Sequence, residues 1–292
     1  MEVWTVQKLL NWITDYFTKE SIPDARLSAE MLMSEVLSKQ RIQLYTDFEQ
    51  VVPKSQLDKL HTLVKRAAAH EPVAYLIGRT EFYSLEIQVN EHTLIPRPET
   101  EQLVEKAIDF LRTRKNKQTV LDLCTGSGCI AVAIAKNFPA ADIIATDICE
   151  SALQVAAKNI EKHQLTDQIK LLQGNLFEPV IPQLDTSPFD LIVSNPPYVS
   201  TAEFEKLDKN VKHYEPKLAL LAGEKGLDVY HKIAEQVDQF LKPDAALILE
   251  IGSEQGPAVK NILEKIRCFA EIKIQKDFQK LDRIIIAKKS SQ

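Results

Sequence analysis

No apolar run in the 292 residues approaches the ~20 needed to span a bilayer. The opening Met1-Glu2-Val3-Trp4 lacks the basic start and unbroken apolar core of a secretory signal. A cytoplasmic protein is therefore expected. An excess of positive charge is lacking too. Lys and Arg number 36 against 41 Asp and Glu, a net charge of −5. The first 72 residues hold nine basic and ten acidic side chains. Free duplex DNA or bulk RNA is a poor main ligand for such a chain, because phosphate contacts leave a basic stripe. The four cysteines, Cys124, Cys129, Cys149 and Cys268, form no C-x-x-C pair, and no His cluster accompanies them. No metal site is expected, and reduced thiols fit a cytosolic compartment.

A hydrophobic content of 45% over this length gives one large or two moderate domains with ample core. Residues 1–72 read as helices only. Val3, Val6, Leu9, Leu10, Ile13 and Phe17 share one helix face. A second pattern runs from Ala25 to Leu37, and a third opens at Pro53-Lys54-Ser55 and ends by Ala68. Pro72 closes this part, since proline disfavours helix at the residue before it. Residues 73–95 read as a linker carrying a short hairpin, with period-two alternation in Thr80–Tyr83 and Leu85–Val89. From residue 96 to 292 strands alternate with helices. Strands are expected at 119–124, 142–147, 169–172, 189–194 and 245–251, and a final antiparallel pair at 271–276 and 283–288. That order means a parallel sheet covered by helices on both faces, with an antiparallel edge.

The first of these strands runs into Asp122-Leu123-Cys124-Thr125-Gly126-Ser127-Gly128, followed at once by a helix. Glycines there allow a tight turn and close approach of a ligand. The next strand ends in Asp147, where a carboxylate can accept both ribose hydroxyls of an adenosine. Asn175-Leu176 follows the third strand. A dinucleotide and S-adenosylmethionine both fit this much. The G-x-G-x-x-G fingerprint of dinucleotide sites is absent, with no glycine at 131, and the final antiparallel pair favours a methyltransferase by analogy of fold.

The fourth strand, Asp190-Leu191-Ile192-Val193, ends in Asn195-Pro196-Pro197-Tyr198. Two prolines lock two φ angles and remove two donors. They leave a stiff arm with two acceptors, the Asn195 side-chain oxygen and the Pro196 carbonyl, beside the face of Tyr198. Two acceptors and a flat face suit a planar NH2 on a π system, an amide or a base amine. Close alignment of its nitrogen with a methyl donor lowers the entropic barrier to in-line displacement. Leu94-Ile95-Pro96-Arg97-Pro98-Glu99-Thr100 is a second stiff segment, placed to wall the site, with Arg97 or Glu99 fixing neighbours.

The Asn195–Tyr198 motif resembles that of the amino methyltransferases. The whole chain is similar to one branch, the release-factor glutamine methyltransferases (PrmC/HemK type). The matching segments are Gly78–Tyr83, Leu94–Glu101, Asp122–Gly128, Asn195–Tyr198, Glu215-Pro216, Gly226-Leu227 and Leu249–Gly252. The resemblance implies a class I S-adenosylmethionine-dependent methyltransferase fold behind an N-terminal helical domain that docks the substrate. It implies methylation of the side-chain nitrogen of the glutamine in the Gly-Gly-Gln loop of peptide chain release factors. Cys124, Thr125, Gly126, Ser127, Gly128, Asp147, Asn175, Leu176 and Asn195 would hold S-adenosylmethionine. Asn195, Pro196, Pro197, Tyr198, Arg97 and Glu99 would hold the glutamine, with Asn195, Pro196 and Tyr198 catalytic. A monomer without direct nucleic-acid contact is expected. Related branches act on a ribosomal-protein glutamine or on nucleic-acid amines, and these are the alternatives. The chain departs from the family at Cys124, where glycine is usual, so the backbone there is expected to avoid positive φ or bear its steric cost. It departs also at Asn175-Leu176, in place of Asp and an aromatic, and at Leu281.

Overall fold

The computed structural model describes residues 3–114, 116–183 and 188–291. Contacts divide the chain into two units, residues 1–79 with 208–214, and residues 80–207 with 215–292.

In the first unit, α1 (Val6–Lys19), α2 (Ala25–Leu37), α3 (Arg41–Thr46), α4 (Lys54–Ala68) and α5 (Val73–Ile77) enclose one core. Helix α1 starts at Val6 rather than at Val3. The Thr5 side chain accepts from the Lys8 amide and caps the helix. Thr5 forms an antiparallel bridge with Val51, and Val52 N donates to Trp4 O at 2.9 Å. Val6, Leu9, Leu10, Ile13 and Phe17 are buried along one stripe, as 3.6-residue periodicity requires. Glu30 on α2 is buried, and Arg41, Arg26 and Tyr45 all donate to its carboxylate. Burial pushes its pKa up, but these hydrogen bonds outweigh it and hold the group below the usual carboxylate range.

The second unit opens on a hairpin, β1 (Arg79–Phe82) and β2 (Leu85–Gln88), of which Arg79 still counts with the first unit. Its turn residues Tyr83 and Ser84 both have positive φ, the twist a two-residue hairpin needs. The hairpin expected in the linker at 73–95 is present and packs on this unit. The buried Asn159 side chain accepts from Gln88 N at 2.7 Å and donates to Gln88 O at 3.0 Å. Helix α6 (Pro98–Arg112) begins with proline at its first position, has Glu99 and Glu101 in its first turn and Arg112 in its last.

Seven strands form the central sheet in the order β5-β4-β3-β6-β7-β9-β8. They are β3 (Gln118–Leu123), β4 (Ala141–Asp147), β5 (Ile169–Gln173), β6 (Phe189–Ser194), β7 (Leu241–Glu250), β8 (Phe269–Lys276) and β9 (Asp282–Lys289). The pairings of β3, β4, β5, β6 and β7 are parallel, and β9 runs antiparallel to both β7 and β8. Every residue of β6 is buried, as suits its apolar stretch Leu191-Ile192-Val193. Helices α7 (Cys129–Asn137), α8 (Glu150–Lys162), α9 (Thr201–Phe204), α11 (Asp228–Phe240) and α12 (Gly256–Glu264) belong to this unit. Helix α10 (Lys209–Tyr214) counts with the first, where Tyr214 donates to Ala69 O at 3.0 Å. The sheet winds outward both ways from the adjacent strands β3 and β6. Open α/β sheets bind ligands outside the carboxyl ends at such a switch point.

Candidate active site

A cavity of about 370 Å³ lies at that point, within the usual range for ligand sites. The ends of four neighbouring strands line it: Cys124 to Ser127 after β3, Asp147 to Cys149 after β4, Gly174 to Leu176 after β5, and Asn195 with Pro197 after β6. Thr93, Leu94, Pro96 and Thr100 close one side, and Pro216 with residues of 218–223 another.

The turn after β3 is left-handed at alternate residues. Cys124 takes φ 59°, Gly126 φ 55° and Gly128 φ 78°. The cysteine therefore does adopt positive φ, and its Cβ bears the steric cost a glycine would avoid, about 1–2 kcal/mol. Burial, together with the nearby Asp147 carboxylate, pushes its thiol pKa up, so it is no nucleophile at neutral pH. Gly126 has nothing within 4 Å of where a Cβ would stand, so the backbone is open to a ligand. Gly128 does not line the cavity. A Cβ there would lie 3.1 Å from the Ala156 Cβ, so its absence serves the approach of α7 to α8.

Asp147 Oδ2 accepts from Gly126 N at 2.8 Å and Oδ1 from Cys149 N at 2.9 Å. Each oxygen keeps acceptor capacity for a hydroxyl. Burial raises its pKa, against the pull of these amides. Asp122 lies beneath the turn, fully buried, with Oδ2 accepting from Thr125 Oγ1 at 2.6 Å and Oδ1 without a well-formed hydrogen bond among the described residues. Burial pushes its pKa up to about 7. The sequence reading assigned it no role, although an acid inside the apolar strand Val120–Leu123 was a visible signal. Asn175 donates to Glu178 from its backbone and side chain, both at 3.3 Å, and Leu176 is buried in a left-handed conformation.

Asn195 and Pro197 face the cavity, whereas Pro196 is buried behind them. The Asn195 side chain donates from Nδ2 to Thr100 Oγ1 at 3.2 Å. Tyr198 does not line the cavity. Its ring packs, partly buried, on the core of the unit and its hydroxyl donates to Glu250 Oε1 at 3.3 Å, because a phenol turned away from water needs an acceptor. Arg97 and Glu99 are also outside the lining. The Arg97 guanidinium is paired with the buried Glu215, whose Oε2 accepts from Ile95 N at 3.2 Å. This pairing ties the 95–97 segment to Pro216, another wall residue. Glu99 stands in the first turn of α6, where a carboxylate favours the helix dipole.

Two family profiles match the chain, the PrmC N-terminal domain over residues 8–78 and the Methyltransferase small domain over residues 102–212. A release factor glutamine methyltransferase of Rhodopirellula baltica is 40% identical over 290 residues, covering 98% of this chain and 97% of its own. Its counterpart in Geobacter sulfurreducens is 37% identical over 284 residues, covering 97% and 96%. The crystal structure of a methyltransferase from Pyrococcus furiosus, 20% identical, superposes with a TM-score of 0.50 over 72% of this chain and 91% of that one, and shows the shared fold.

Proposed function

The chain belongs to the release factor glutamine methyltransferase family, and from that premise we propose that it methylates the side-chain nitrogen of the glutamine in the Gly-Gly-Gln loop of a peptide chain release factor. The observation that carries the reading is the near full-length likeness to enzymes of that name, with Asn195 at the mouth of a cavity at the sheet's switch point.

The cavity walls suit S-adenosylmethionine better than a dinucleotide. Asp147 and Asp228 supply carboxylates, which favour hydroxyls and a cationic ligand over a pyrophosphate. Leu176, Ile148 and Ala152 offer apolar surface for an adenine, and Gly126 admits close approach. In this reading Asp147 takes the ribose hydroxyls, and the Cys124–Ser127 turn cradles the remainder.

When bound, S-adenosylmethionine supplies a sulfonium methyl: the glutamine nitrogen's lone pair forms the N–C bond, the C–S pair stays on sulfur, and the nitrogen then sheds one proton to solvent. The chain's own part is positioning. Asn195 Oδ1 accepts one amide proton and favours a pyramidal nitrogen, whereas the Pro196 carbonyl, expected as the second acceptor, does not line the cavity. The locked prolines keep Asn195 from swinging away. Pro96 and Pro216 form apolar parts of the cavity wall. The helical unit, matched by the PrmC N-terminal profile, is the natural docking element for the release factor in the cytoplasm. The test is transfer of radiolabelled methyl to purified release factor by wild type and Asn195→Ala. Loss of one acceptor should lower kcat by about 100-fold or more, the range for one such hydrogen-bonding group. An Asn195→Ala enzyme with unchanged kcat would remove Asn195 from the chemistry.

A further inference from the structure

Behind Asn195 runs a chain of side-chain hydrogen bonds that the reaction as described does not use. Asn195 Nδ2 donates to Thr100 Oγ1 at 3.2 Å. Thr100 Oγ1 donates to Glu250 Oε2 at 2.7 Å. Glu250 Oε1 accepts from the Tyr198 hydroxyl at 3.3 Å, and its backbone oxygen accepts from Tyr230 at 2.9 Å. Thr100 is 2% exposed and Glu250 1%. Burial keeps Thr100 and Glu250 from exchanging these bonds with solvent, so the directions of the protons matter.

Those directions follow from one fact. An ionised carboxylate only accepts. The single Thr100 proton is therefore committed to Glu250. The Thr100 oxygen is left with lone pairs, and only a donor can meet it from the other side. Asn195 must turn its NH2 inward, which leaves Oδ1 as the end presented to the substrate amide. A flipped Asn195 would set two acceptors against each other inside and two NH2 groups against each other at the substrate.

We propose that Glu250, acting through Thr100, is a positioning residue that holds the Asn195 carboxamide with its oxygen toward the glutamine NH2. This rests on the reading of Asn195 given above. The polarity is set at the end of β7, transmitted by the first turn of α6, and used at the end of β6.

The inference carries a pH dependence. The groups that face Glu250 are Arg283 on β9, Glu99 and Thr100 on α6, Tyr198 after β6, Tyr230 on α11 and Cys129 on α7. Burial dominates and pushes the Glu250 pKa up to about 7, opposed by the hydrogen bond from Thr100 and the charge of Arg283. Once protonated, Glu250 can donate to Thr100, whose proton is then free to face Asn195 and accommodate the flipped amide. Turnover should fall as pH drops below about 7.

The experiment measures kcat and KM for release factor, with calorimetric affinity for S-adenosylmethionine, in full-length wild type, Thr100→Val, Thr100→Ser, Glu250→Gln and Asn195→Ala. Thr100→Val should lower kcat by about 10- to 100-fold, the range for a lost hydrogen bond to a charged group. Cofactor affinity should fall far less than kcat, and Thr100→Ser should keep most of the turnover. Glu250→Gln, which can still accept from Thr100 but does not titrate, should lose the acid limb of the kcat profile. If Thr100→Val misfolds, that profile decides alone. Unchanged kcat in Thr100→Val, or a wild-type acid limb in Glu250→Gln, overturns the proposal while an inactive Asn195→Ala leaves the site reading intact. An active Asn195→Ala overturns both.

Discussion

Gly226 precedes α11 with φ 69° and stands directly behind the arm that carries Asn195. Replacing it with alanine is a sharp test of how that arm is held. A Cβ there would be driven into the Tyr198 carbonyl oxygen, and would lie 2.7 Å from Gln255 Nε2 and 3.1 Å from Ser200 N. Two of these neighbours are backbone atoms, so no rotamer change relieves them. Gln255 Nε2 now donates to Tyr198 O at 2.8 Å and to Gly226 O at 3.2 Å, and the clash displaces it. The left-handed conformation costs about 1–2 kcal/mol for alanine, and overpacking against fixed neighbours about 1–3 kcal/mol. The α/β unit should therefore melt roughly 4–20 °C lower, at 2–4 °C per kcal/mol for a domain of this size. A shift of the arm by about 1 Å should cost kcat on the order of 100-fold. The control is Gly78→Ala, which has φ 75° but nothing within 4 Å of the new Cβ, and so bears only the left-handed cost. The assay is thermal denaturation of both variants together with methyl transfer at saturating substrates. Equal losses of stability in the two, or full kcat in Gly226→Ala, would refute the reasoning.

Three further outcomes are expected. Cys124→Gly relieves left-handed strain of about 1–2 kcal/mol but adds unfolded-chain entropy of about 0.4–1 kcal/mol and loses thiol packing of about 1 kcal/mol. Its unfolding free energy in a denaturant titration should lie within about 1 kcal/mol of wild type. Asp147→Ala should weaken S-adenosylhomocysteine binding by about 100-fold or more in calorimetry, the effect of losing two hydrogen bonds to a charged group. Stability should fall as pH rises. Burial lifts Glu250 from 4.5 and Asp122 from 3.8, each to about 7 in the fold. The native state thus holds protons that the unfolded chain has released, and this contribution is complete below the unfolded values and lost as pH passes about 7. Melting at pH 8.5 should lie below melting at pH 6, and Glu250→Gln should flatten part of that slope.

The elements that were legible in the sequence are those whose signal is local. Strand β6 is an apolar run with every residue buried, and its polar stop at Asn195 pointed to the cavity. Helix α6 was equally visible, since Leu103, Val104, Ala107, Ile108 and Leu111 are its buried stripe, yet the prolines before it drew the reading toward a rigid segment. The hairpin at 79–88 read as a linker because what fixes it lies 71 residues away at Asn159. Thr100 and Glu250 meet across 150 residues, a distance no local pattern spans. An acid between Leu249 and Ile251 in a buried strand was the one available hint of it. Tyr198 was read as a stacking face from its place in the motif. Its hydroxyl, hydrogen-bonded to Glu250, turns the ring toward the core instead.

The measurement that bears most directly on the central claim is peptide mass spectrometry of a purified release factor after incubation with this protein and S-adenosylmethionine. A factor whose loop glutamine is replaced by alanine is run beside it. The account predicts one added methyl, on the glutamine of the Gly-Gly-Gln peptide, and none on the variant. An unmethylated Gly-Gly-Gln peptide, from enzyme that still binds S-adenosylmethionine, would contradict it and turn attention to ribosomal-protein and nucleic-acid amines.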